Sequence, residues 1–153
     1  MRASTVTIKS EQDIEKLRIS GRLAAQVLEM IGAYIKSGVS TEYLDDICND
    51  YIVNTLQVIP ANVGYHGFTK TTCISINDEV CHGIPSAHRI LKDGDILNID
   101  VAVIKDGYFG DTSRMYFVGE ANPAAKKLVE TTYEAMFAGI HAVKPGATLG
   151  DIG

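Results

Sequence analysis

Two carboxylates and a histidine stand close together in this 153-residue chain. His82 lies in Cys81-His82-Gly83-Ile84-Pro85, Asp100 in Asn98-Ile99-Asp100-Val101, and Asp111 in Gly110-Asp111-Thr112-Ser113. Asp106-Gly107 is a strong hairpin signal between two apolar, β-branched runs, so the two aspartates fall on opposite arms of one hairpin. With the turn at Asp106-Gly107, Asp111 lies diagonal to Asp100; with the turn one residue earlier, they face each other directly. Either register puts both side chains on one sheet face, roughly 5–8 Å apart. Asp100 also sits within the apolar run Ile96 to Val103, where a facing like charge is costly unless a cation or a proton neutralises it. Such a pair suits divalent ions such as Mn, Fe, Co or Zn. The alternatives are an acid/base pair for glycoside chemistry, which nothing else in the sequence supports, and a turn or cap aspartate that faces water. His82 precedes a glycine in a predicted loop, where a ring nitrogen can meet a substrate. His66 lies in Gly64-Tyr65-His66-Gly67-Phe68, whose glycines allow tight turns and close approach. His88 and His141 belong to no comparable constellation.

Periodicity supplies the elements that must position these residues. A first helix is predicted after Ser10, with Ser10 and Asp13 as a capping box in which Asp replaces the commoner Glu. Ile14, Leu17, Ile19, Leu23, Val27, Leu28, Ile31 and Ile35 recur at mainly helical spacing, and Gly38 is the expected stop. A second helix is predicted from near Ser40, with Tyr43, Leu44, Ile47, Cys48 and Ile52 turned inward, ending before Pro60. Thr71 to Ile76, Ile96 to Ile104 and Tyr108 to Val118 read as strands. Asn122-Pro123 caps a third helix that runs to about Val143. Thr148 with Asp151 is a further capping pattern and announces a fourth helix. The segments Ile35 to Ser40 and Val143 to Thr148 repeat helix end, lysine, glycine and cap residue in order, which reads either as coincidence or as an internal duplication.

A chain of this length can bury roughly 68–70% of its extended surface around one core. Hydrophobic residues make up 46% of it and its formal charge is −5, which argues against a disordered tail or a nucleic-acid module. No apolar run reaches the roughly 18 residues of a membrane span. Met1 to Ser10 lacks the apolar stretch of a secretory signal. Cys48, Cys73 and Cys81 are scattered and odd in number, so free thiols and a cytoplasmic location are expected.

Gly64-Tyr65-His66-Gly67-Phe68, Cys73-Ile74-Ser75-Ile76-Asn77, Val80 to Pro85, Asn98 to Val101 and Gly110 to Ser113 together resemble the bacterial-type (type I) methionine aminopeptidases. The order and intervals of the segments carry the resemblance, which extends from Ile14 to Gly153. It implies an α+β fold, one half of the pita-bread fold of creatinase and aminopeptidases, with helices packed on one face of an antiparallel sheet. Residues 1–153 would be the N-terminal half of the catalytic domain, ending where the second half starts. The pseudo-twofold symmetry of that fold agrees with the suspected duplication. The implied activity is metal-dependent removal of the initiator methionine from nascent proteins, with two divalent ions (Mn, Fe, Co or Zn).

By resemblance, Asp100 is a bidentate ligand of one ion and Asp111 bridges both. His82 contacts the substrate amide near the scissile bond. Tyr65, Phe68 and Cys73 line the methionine pocket, His66 borders it, and Asn77 lies near a monovalent-cation loop. Asn62, Thr69 and Phe109 depart from the commoner bacterial pattern of cysteine, proline and histidine. The family's remaining ligands, one His and two Glu, its general base and a further substrate-binding His belong to the second half. The chain alone is therefore expected to be inactive and to bind metal weakly or not at all. An exposed sheet edge and apolar face would favour a homodimer. A non-catalytic module that binds a nascent chain, a ribosome or a complete enzyme is the alternative from another functional class. A prolidase-like peptidase is the runner-up within the fold. No nucleic-acid or membrane partner is expected.

Overall fold

A computed structural model describes residues 6–153, so the first half of the Met1 to Ser10 segment lies outside the described residues. Its order is α1 (Glu11–Ile31), α2 (Thr41–Asp50), β1 (Ile59–Pro60), β2 (Thr72–Ile76), β3 (Ile96–Lys105), β4 (Tyr108–Phe117) and α3 (Pro123–Ala142). Asp106 and Gly107 both take positive φ, 51° and 82°, as a tight two-residue hairpin turn requires. Lys105 therefore pairs with Tyr108, and the β3–β4 ladder runs without interruption to Ile96 opposite Phe117. β3 is central: β4 lies on one edge, and β2 and the short β1 lie on the other, all antiparallel.

Strand alternation then sorts the sheet into two faces. Leu97, Ile99, Val101 and Val103 are fully buried on one face, with Ile74 and Ile76 of β2 beside them. α1 and α2 cover this face, contributing Ala24, Val27, Leu28, Ile31, Leu44 and Cys48 to one core. The Ser10/Asp13 capping box forms as predicted. Gly110 of β4 lets α1 approach closely, because a Cβ there would lie 2.1 Å from the Ser20 carbonyl oxygen. Asp45 ties α2 to the start of β2. Its buried carboxylate accepts hydrogen bonds from Thr71 N (3.3 Å), Thr72 N (2.7 Å) and Thr72 Oγ1 (2.7 Å). Burial raises its pKa, and the Thr72 bonds oppose the shift.

Several sequence expectations are corrected. α1 stops at Ile31 and passes into a 3₁₀ turn, Gly32–Tyr34, well before Gly38. Ile14, Ile19 and Tyr43 are 41%, 38% and 51% exposed, because each helix seats only a narrow stripe on the sheet. α2 gives way to a wide π turn, Tyr51–Thr55, and β1 was not anticipated. α3 leaves the helical layer of α1 and α2: Leu128, Val129 and Thr132 line a groove with Ser75, Asn98 and Met115 of the opposite sheet face.

The suspected repeat reappears in the backbone. Gly38 and Gly146 take φ of 88° and 89°. Ile35 N–H donates to Gly32 O and Val143 N–H to Ile140 O, while Val39 and Ala147 donate to Lys36 and Lys144. Ser40 and Thr148 then act as N-caps. Among the described residues, no helix is long and apolar enough to cross a membrane.

Candidate metal-binding and substrate site

The open face of the sheet carries the polar residues that the core face excludes. Asp100 pairs with Ser113 across β4 and with Cys73 across β2, while Asp111 pairs with Ala102. Asp111 is thus diagonal to Asp100 on the same face, the first of the two registers considered. Both aspartates line a cavity of about 650 Å³, and His82 lines it from the loop after β2. The predicted pocket residues Tyr65, His66, Phe68 and Cys73 line the same cavity.

The loop before β2 brings its aromatic residues there by local closure. Gly64 adopts φ 84°, and its N–H donates to Phe68 O at 2.8 Å. Tyr65 N–H donates to Asn62 O at 3.1 Å, and the Asn62 amide donates to Thr71 O at 3.0 Å. The Tyr65 and His66 rings meet edge to face, centroids 4.4 Å apart. Asn62, Thr69 and Ile84 line the cavity too. Ile84 falls inside a motif already singled out, and Asn62 and Thr69 are two of the positions that depart from the commoner bacterial pattern. Asn77 does not line this cavity. Its side chain donates to Asp95 Oδ1 at 2.8 Å and accepts from Ile96 N at 3.1 Å. His88 and His141 are exposed and lie elsewhere.

The electrostatics fit a cation. The Asp100 carboxyl is pushed above the usual carboxylate range, first by burial, then by the Asp111 charge and a side-chain hydrogen bond with Asp111; His82 and the Val101 N–H oppose the shift. A divalent ion relieves this kind of cost by neutralising facing carboxylates. Burial, followed by the Asp100 charge, pushes the Cys73 thiol up to about 11, so Cys73 acts as a neutral wall of the pocket. Among the described residues, no group of three or more His, Cys, Asp or Glu can hold an ion.

The model of metallopeptidase family M24 matches residues 15–153. The chain is 55% identical to methionine aminopeptidase of Escherichia coli (strain K12) over 148 residues, covering 97% of this chain and 56% of that protein. It is 58% identical to methionine aminopeptidase of Haemophilus influenzae, again covering 56% of that protein. The crystal structure of methionine aminopeptidase from Rickettsia prowazekii superposes with a TM-score of 0.94 at 49% identity, over 97% of this chain and 59% of that one. The chain thus spans somewhat over half the length of these relatives, and its architecture is the α+β, half-pita-bread arrangement expected from the resemblance. With the family model matching nearly the whole length and the paired aspartates in one cavity, the chain belongs to the M24 metallopeptidases.

Proposed function

We propose that this chain carries the N-terminal half-site of an aminopeptidase that removes the initiator methionine from new proteins in the cytoplasm. The observation that carries this reading is a single cavity holding Asp100, Asp111 and His82 beside an apolar and aromatic wall. Asp100 and Asp111 hold the divalent ions. Such ions supply Lewis acidity toward a carbonyl and lower the pKa of water. Tyr65, Phe68 and Cys73 bind the methionine side chain, with His66 at the border. His82 holds the substrate amide near the scissile bond. Asn77 contributes to a monovalent-cation loop.

The chain alone is proposed to be inactive. By the resemblance, the general base and three metal ligands belong to the half of the family's fold that these 153 residues do not span. The loss of a single outer-shell partner costs roughly 10–100-fold, so three direct ligands cost on the order of 10³–10⁶ or more. Hydrolysis of a methionine-led tripeptide, with Mn, Co, Fe or Zn added in turn, tests this against an Asp111→Asn control. Robust turnover that disappears in the control would overturn the half-site reading.

A second reading is favoured by α3, whose Leu128, Tyr133, Met136 and Ile140 are 61%, 60%, 49% and 53% exposed. In that reading the chain self-associates through this face as a homodimer. A clean monomer in sedimentation at high concentration would rule that out.

A further inference from the structure

β2 pairs with β3 along one edge only, and the other edge is closed by the loop that carries His82. Ile74 N–H donates to Gly83 O at 2.9 Å, and Gly83 N–H donates to the Ser75 hydroxyl at 3.1 Å in a buried contact. Both polar groups of Gly83 are therefore held by β2. A Cβ on Gly83 would lie 2.1 Å from Ile74 O and 2.9 Å from Glu79 Oε2, so only glycine fits. Glu79 braces the loop from the same side. Its Oε2 accepts from Ile76 N at 3.1 Å, and both its oxygens take the Arg89 fork at 2.9 and 2.7 Å. A bidentate pair of this kind fixes direction as well as distance.

Two features show what this bracing serves. His82 has φ 56°, a left-handed conformation that a residue with a Cβ keeps only where its surroundings over-determine it. Among the described residues, no hydrogen bond reaches the His82 ring, so the ring's direction depends on its backbone. The Glu79–Arg89 pair is itself partly exposed, with side chains 30% and 42% accessible, and such a pair adds little to global stability. Its contribution is geometric.

We propose that Ser75, Gly83, Glu79 and Arg89 form a latch that aims His82 into the cavity. Ser75 and the Glu79–Arg89 pair are thus positioning residues for His82. The proposal rests on the reading of His82 as the group that meets the substrate amide.

Nuclear magnetic resonance on the labelled chain tests it. In the wild type, His82 should show the strong intraresidue amide-to-Hα contact of a left-handed residue. In Ser75→Ala, Gly83 N–H exchange should accelerate about tenfold. The His82 contact should weaken and its ring signals should shift toward those of an unstructured histidine. The β3–β4 signals should stay near wild type. Ser75→Thr, which keeps the hydroxyl, should restore the ring signals. Arg89→Met should move them in the same direction by less, and it carries the test at the surface if Ser75→Ala does not fold. His82 signals unmoved in Arg89→Met, and in Ser75→Ala where it folds, overturn the latch. Methionine amide titrated into the wild type at millimolar concentration separates the two readings. If it leaves the His82 ring signals unmoved, the reading of His82 as the group that meets the substrate amide fails while the latch result stands.

Discussion

α1 and α3 are helices of 21 and 20 residues, each with a side-chain N-cap and an apolar stripe, yet they end in opposite situations. α1 buries Ser20, Ala24, Val27, Leu28 and Ile31, whereas α3 buries only Gly139. α1 is also fastened by polar contacts. Ser20 Oγ donates to Tyr108 O at 2.9 Å, Tyr108 Oη to Asp13 Oδ1 at 2.6 Å, and Tyr116 Oη to Leu28 O at 2.5 Å. α3 relies on its own surface, where the Tyr133 and Phe137 rings meet at a tilt, centroids 4.8 Å apart, and Phe137 meets His141 at 6.1 Å. An amphipathic stripe therefore states that a face needs cover, while the cover itself depends on what the rest of the fold provides. For α1 that is a strand with glycine at the point of closest approach.

Matched substitutions test this contrast, and the glycines should differ most. Gly110→Ala forces a Cβ into the Ser20 backbone and should cost about 4–5 kcal/mol in denaturant unfolding, or prevent folding. Gly139→Ala meets Ile152 alone, its Cγ2 at 3.1 Å and its carbonyl oxygen at an ordinary contact distance of 3.5 Å. It should be neutral, or stabilising by up to about 1 kcal/mol through helix propensity. Equal effects at the two sites would remove the distinction between the helices. Next come the apolar pairs. Ile31→Ala should cost about 3 kcal/mol, while Ile140→Ala should stay within about 0.5 kcal/mol. A large cost at Ile140 would show that α3 is covered in solution, and its dependence on protein concentration would identify a second copy.

The open and closed faces of the sheet can be compared through pH. Asp100 has a raised folded-state pKa, so its contribution is fully present below the unfolded value near 3.9. That contribution is lost as pH rises through the folded pKa. Without added metal, Asp100→Asn should therefore raise the melting temperature at neutral pH and leave it little changed under strong acid. A lower melting temperature at neutral pH would show that the carboxylate is already compensated.

The smallest difference expected is at the caps. Ser10→Ala should cost about 1 kcal/mol, and Thr148→Ala should not register in global unfolding, because its short turn lies outside the core. Asp13 is held below the usual carboxylate range, first by Ser10 and then by Tyr108. Its contribution is present above the unfolded pKa and should fade as pH falls. An acid titration of α1 amides that leaves α3 untouched would confirm where that cap acts.

What could be read from the residues alone was mostly local. Asp106-Gly107, the Ser10/Asp13 box and Asn122-Pro123 obey rules that span four residues or fewer, and each formed where expected. The placement of Asp100 and Asp111 followed, because strand alternation carries a turn's register along both arms. Non-local features were harder to see. The two-residue strand Ile59–Pro60 is too short for a periodic signal and exists because the ends of β3, Val103 and Ile104, accept it. Outward Tyr43 follows from the width of the face on which α2 sits. The joining of the Gly64 to Phe68 loop to the aspartates in one cavity was suggested by family resemblance. Spacing could not show it, because more than 30 residues separate Phe68 from Asp100.

The pairing scheme has a consequence for the order in which the chain can acquire structure. β1, β2 and β4 each pair with β3, and no two of them pair with each other. On a chain growing from its N-terminus, β1 and β2 have no strand partner until Ile96 to Lys105 has emerged, and α1 has no seat until Gly110 follows. Synthesis must therefore pass Gly110 before α1 and the early strands can settle, after which a single short hairpin recruits them all.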